Sequence, residues 1–149
     1  MPAGNSAQAS ILDLIFSNTA WANVGDSAGL VGSTTAGDLY VALHTASPGA
    51  SGTQSTNEAA YTGYARVAVS RASGSWTVSG SSPTSITNAA AVTFPAATGG
   101  SETETYFSIG VASSGATEII VYGALTSSLA VSAGITPSFA IGQMTTTCD

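Results

Sequence analysis

The sequence has no lysine, two arginines (Arg66 and Arg71), one histidine (His44) and one cysteine (Cys148). Each scarcity excludes something. Phosphate neutralisation needs Lys and Arg in numbers, so the chain is not expected to bind nucleic acid. One cysteine excludes an intramolecular disulfide framework and leaves a reduced thiol, or a bond to another chain, beside the C-terminus. One histidine and one terminal cysteine do not make a structural zinc site. No run approaches ~18 continuous apolar residues, so no membrane span is expected, and the N-terminus lacks the basic region of a secretion signal.

Charge is also scarce. Charged residues make up 7% of the 149 residues, against roughly 25% in ordinary globular proteins. Eight carboxylates set the formal charge at -6. Hydrophobic residues still reach 44%, which excludes a disordered chain. The polar surface must be Ser, Thr, Asn and Gly, whose short side chains lose little conformational entropy when immobilised. Such a surface suits permanent burial in an assembly or an extracellular particle, though a drift in base composition would leave the same mark. On a DNA-filled particle an acidic chain belongs outside.

The length fits one domain with one core. Residues 1–9 read as an arm leading into a helix that Ser6 or Ser10 could cap. Ile11, Leu12, Ile15, Phe16 and Thr19 recur at helical spacing, predicting one amphipathic helix to about Trp21. A lone helix of that length must dock on the β domain or on a neighbour. Residues 24–37 are glycine-rich without a period and read as a loop. From Asp38 the period becomes two. Leu39, Val41 and Leu43 alternate with Tyr40, Ala42 and His44, and a polar loop follows over 46–60. Further strands are expected over 64–70, 75–79, 85–94, 103–112, 118–125, 129–131, 135–141 and 144–148. Residues 118–125 (EIIVYGAL) are apolar on both faces, which predicts cover on both sides, one side given by another subunit. The pattern predicts a mainly β chain: an antiparallel β-sandwich or jelly-roll-like domain over 24–149 behind an N-terminal arm and helix over 1–23, compact as a whole.

Catalytic chemistry is thin. A nucleophilic triad needs a histidine base, and His44 reads instead as a surface or interface residue. Glu102 and Glu104 share a face if extended, roughly 7 Å apart, a spacing glycosidases use. Their place after Gly99-Gly100 argues for a solvated strand end. A weak calcium site with Asp26 or Asp38 stays open. Arg66 interrupts an apolar strand and needs a carboxylate or backbone carbonyls. The chain is thus expected to be no enzyme and to hold no cofactor or metal. Candidate interface residues are Ile11, Ile15, Phe16 and Trp21 near the helix, then Tyr40, Tyr61, Tyr64 and Trp76, then Ile120 and Tyr122. Core packing is the default for at least half of Trp21, Tyr61, Tyr64 and Trp76.

An ordered set of segments carries a resemblance. After "NTAW" come "LYVALHTASPG", "YTGYARVAVS", "ITNAAAVTFPAAT" and a closing "YGALTSSLAVSAGITPSFAIGQMTTTCD". From about Ala9 to Asp149 the chain resembles small tailed-bacteriophage virion proteins labelled head-decoration (cement) or tail-fibre proteins. The resemblance implies a virion structural role, with assembly in the host cytoplasm. The first expectation is a decoration protein on the outer head, bridging capsomers as a dimer or trimer against the major capsid protein. The alternative is a tail-fibre or receptor-binding module that contacts host glycans through Tyr61, Tyr64, Trp76 or Tyr106.

Overall fold

Helix α1 runs over Asn5–Phe16, in a computed structural model that describes residues 3–81 and 83–148. Asp149 and the Cys148 side chain lie outside the described part, and so does any thiol role for it. Gln8, Leu12 and Phe16 are spaced four apart and form the buried stripe of α1. The helix is shorter than the spacing predicts. Asn18 takes a left-handed φ of 56°, and the Thr19 amide turns back onto the Asp13 carbonyl at 3.1 Å. Asparagine tolerates that conformation and stops the helix there, so Trp21 lies beyond it. Gly4 occupies the N-cap with no side-chain cap, so neither Ser6 nor Ser10 fills that role.

Backbone contacts divide the chain into two compact units. The first holds the described residues of Met1–Gly37, Ser70–Ala91 and Ala140–Asp149. Its sheet has three antiparallel strands in the order β3 (Trp76–Ser79), β4 (Thr84–Asn88), β9 (Thr145–Cys148). Helix α1 docks on β3 and β4. Phe16 meets Trp76 edge-on with ring centroids 5.0 Å apart, and the indole N–H donates to the Ser70 carbonyl. Gln8 accepts from both the amide and the hydroxyl of Thr84. Buried Asn88 donates to the Ala90 and Ala140 carbonyls and accepts from the Met144 amide. The loop over 24–37 is confirmed as a loop and is tied at its base. Asn18 exchanges two hydrogen bonds with Ser33, Trp21 and Leu30 exchange two more, and Asp26 turns the tip. Arg71 closes the unit by donating to the Leu14 and Ile15 carbonyls at the end of α1 and to Ser33.

The second unit comprises Asp38–Val69 and Val92–Phe139. Its main sheet has the order β2 (Val67–Ser70), β1 (Asp38–His44), β6 (Ser101–Gly110), β7 (Ile119–Ser132). A two-stranded ribbon joins β5 (Val92–Thr93) and β8 (Ser138–Phe139). One face of β1 and β6 presents Leu39, Val41, Leu43, Phe107 and Ile109, all buried. The ribbon's Phe139 packs edge-on against Phe107 and Phe94, and Phe94 stacks on Tyr64. This is a sandwich-like arrangement of apolar faces, antiparallel as expected. Gly123 on β7 is needed here, because a Cβ would stand 3.0 Å from the Phe107 ring. The expected strand over 85–94 is two strands, β4 and β5, and the strands expected over 118–125 and 129–131 are one. β7 is the outer strand of its sheet, and its residues are mostly half-buried or exposed within this chain. Ile119, Ile120 and Val121 are half-buried and Tyr122 is 38% exposed.

Candidate functional site

The second face of the main sheet carries the polar chemistry. Pairing aligns Tyr40, Ala42 and His44 of β1 with Gly110, Ser108 and Tyr106 of β6. Ser108 and Tyr106 are aligned in turn with Tyr122 and Ala124 of β7. The polar segment 46–60 is held on this face by buried Gln54, whose amide donates to the Tyr40 carbonyl. Gly110 makes room for it, since a Cβ there would fall 2.2 Å from the Gln54 side chain.

His44 is fully buried, which corrects the expectation of a surface histidine. Its Nδ1 lies 2.9 Å from the Thr56 carbonyl and its Nε2 lies 2.8 Å from Ser108 Oγ. A carbonyl only accepts, so Nδ1 carries the proton and Nε2 accepts from the Ser108 hydroxyl. Burial lowers the histidine pKa below its ordinary value, which keeps it neutral. A serine bonded to a histidine base is a nucleophile's arrangement. Here both side chains are sealed from solvent, so no substrate carbonyl reaches Ser108, and the pair pins segment 46–60 to the sheet.

Beside it lies the predicted partner of Arg66. The guanidinium forms a two-pronged pair with Glu58, Nε to Oε1 at 2.6 Å and Nη2 to Oε2 at 2.8 Å. It also donates to the Ala112 and Gly115 carbonyls, to Gln54 and to Thr117. The Tyr64 hydroxyl donates to Glu58 and accepts from the Leu43 amide. Burial and then the Glu58 charge push this phenol well above the usual tyrosine range.

Glu102 and Glu104 do share a face, but not as a solvated strand end. Glu104 has no exposed surface, and neither of its carboxylate oxygens finds an N–H or O–H donor. Glu102 Oε1 accepts from the Ala60 and Tyr61 amides, both at 2.8 Å, which keeps Glu102 an acceptor. Burial, then the neighbouring Glu102 carboxylate, push Glu104 up to about 8. Burial beside a second carboxylate favours the neutral, protonated form of Glu104. Burial and these two carboxylates push Tyr61 up to about 12. No cluster of three or more His, Cys, Asp or Glu stands ready for a metal among the described residues.

Beyond the polar cluster the same face opens into a groove of about 330 Å³, lined by Gly49–Gly52 on one side and by Glu118, Ile119, Ile120 and Tyr122 on the other. Tyr106 is diagonal to Tyr122 across β6 and β7, which sets their Cα atoms roughly 7–8 Å apart. The groove thus combines an exposed phenol, a carboxylate and the Ser51 hydroxyl; the Gly49 and Gly52 amides are spent within the loop, on Ser47 Oγ and the Gly49 carbonyl. Of the candidate interface residues, it brings Ile120 and Tyr122 together. Phe16, Trp76 and Tyr61 are buried core side chains. Ile11, Ile15, Trp21, Tyr40 and Tyr64 are half-buried. Sequence reading missed Gln54, Glu58, Ser51 and Glu118, all in stretches read as loop or strand end. Glu58 had a signal: it is the nearest carboxylate in sequence to Arg66.

This β-rich, acidic chain matches a known family. A family model described as podophage GP4 fiber I protein gp80 matches residues 2–147. The protein is accordingly a bacteriophage virion component. The chain belongs to the podophage GP4 fiber I protein gp80 family. No curated protein matches it.

Proposed function

We propose that the chain is a fibre module of the virion that contacts host surface glycans through the Tyr122 groove. Its partners are other virion proteins and further copies of itself. The carrying observation is the groove, which sets an exposed tyrosine beside Glu118 and Ser51. The C–H face of a sugar ring packs on a phenol ring, and its hydroxyls donate to a carboxylate and accept from a serine hydroxyl. Family membership supports the fibre reading over the cement reading, because the family's description names a fibre.

Two measurements test this. Antibody against the protein should label the tail of the particle, and labelling spread over the head would restore the decoration reading. Purified protein should bind host cells or arrayed host glycans. Tyr122→Ala should weaken that binding about tenfold, or ~1.4 kcal/mol, with unchanged circular dichroism. Binding that survives both Tyr122→Ala and Glu118→Gln would remove the groove from consideration.

A further inference from the structure

The backbone of β7 points hydrogen-bonding groups off the edge of the sheet, and alternation identifies them. The Leu43 amide donates to Tyr64 Oη, and the Leu43 carbonyl accepts from the Ala59 amide. Leu43 therefore faces away from β6. Backbone groups on a strand alternate sides, so Ala42 and His44 face Ser108 and Tyr106. Phe107 and Ile109 then face Gly123 and Val121. What remains on the outer side are the amides and carbonyls of Tyr122 and Ala124. Among the described residues no hydrogen bond meets them.

The pairing irregularities bound this edge. Register shifts occur between Ile109 and Gly110 and between Glu104 and Tyr106, which leaves Val121–Ala124 as the regular run. Natural edges of this kind are blunted with lysine, proline or inward charge. β7 has none of these. No charged residue occurs between Glu118 and Asp149, although the chain as a whole carries -6. A second copy is repelled wherever carboxylates gather, and not here. The residues beside the edge, Gly123 and Ala124, are small enough to let another backbone approach.

We propose that two copies of the chain join through antiparallel pairing of their β7 edges, with the twofold axis at Gly123. In that register Tyr122 of one copy faces Ala124 of the other, and both outward residues of both copies exchange amide and carbonyl bonds. A symmetric contact of this kind closes at two chains. The inference rests on the reading that copies of the chain meet in the virion; its Ala124 test leaves the groove side chains in place, since Ala124 is outside the groove.

The test is the mass of the full chain by sedimentation. The native protein should sediment as two chains and Ala124→Pro as one, because proline removes an outward N–H while sparing the bonds to β6. A chain carrying Tyr122→Cys and Ala124→Cys in a Cys148→Ser background should oxidise to a covalent dimer, since residues facing across such a pair stand roughly 5.5 Å apart, within disulfide reach. This second variant decides the matter if the proline variant fails to fold. A native mass of one chain would overturn both this pairing and the homo-oligomer reading. A native mass of three, or a dimer that persists in Ala124→Pro without cysteine cross-linking, would overturn the pairing alone.

Discussion

Each unit is organised around one of the chain's two arginines, and the two are treated differently. Arg66 is buried in the second unit, where Glu58 and a set of carbonyl, amide and hydroxyl oxygens meet its guanidinium. Arg71 is half-buried in the first unit and crosses the carbonyl end of α1. The first arrangement commits a charge to the interior and depends on every partner. The second places a cation against the negative end of a helix, where water stands ready to replace it. The second unit takes the same risk again with Glu104, a buried acid that no donor meets. Two polar commitments in the interior make that unit specific in its packing and sensitive to single changes.

Breaking the Arg66 arrangement should have the largest effect. Arg66→Ala strands the Glu58 carboxylate, the Ala112 and Gly115 carbonyls and Gln54 together, and should cost about 5 kcal/mol in urea unfolding, the upper end for a broken buried pair. Arg66→Lys should recover little of it, because an ammonium does not reproduce the two-pronged geometry on Glu58. Full recovery by lysine would show that charge alone matters there.

The Glu104 acid comes next and carries a pH sign. Its ordinary value is 4.5 and its folded value is about 8. Between these the folded chain holds a proton that the unfolded chain has released. Stability from this group is therefore complete below 4.5 and falls as pH rises, until Glu104 ionises in the folded chain near 8 and the decline ends. Each pH unit inside the window costs at most about 1.4 kcal/mol, so roughly 3–4 kcal/mol should be lost between pH 5 and 8. Glu104→Gln, which does not titrate, should flatten this decline. Urea midpoints across pH for both proteins check it, and equal slopes would refute the protonated acid.

Arg71→Ala should be the mildest, about 1–2 kcal/mol, because the Leu14 and Ile15 carbonyls regain water when the cation leaves. Loss should appear first in helical signal. If Arg71→Ala proves as damaging as Arg66→Ala, the contrast between the two units fails.

Much of this fold was legible from the residues. Alternation over Asp38–His44 and over Phe107–Ile109 placed β1 and β6 and sorted their two faces. Arg66 in a stretch of apolar alternation announced a carboxylate or carbonyl partner. Other features were hidden for identifiable reasons. The helix was read too long because Asn18 keeps the apolar spacing while its backbone turns left-handed. His44 alternates with apolar residues just as a surface histidine would, and only the return of segment 46–60 buries it. Glu102 and Glu104 follow a glycine turn, which locally reads as solvent, yet the folded chain leaves Glu104 no exposed surface. The strand over 118–125 was read as covered on both faces, one of them by another subunit, and the chain itself leaves it half-buried or exposed.

Composition and period by themselves determined an acidic, lysine-free, mainly β chain with one short helix and almost no catalytic side chains. Those properties depend on residue type and on spacing along the strand, which are local. The tertiary structure alone decided which polar groups are interior, which proton Glu104 keeps, and which strand ends with open hydrogen bonds. Each of these depends on what a distant segment places opposite a residue, and one sequence position carries no mark of its partner.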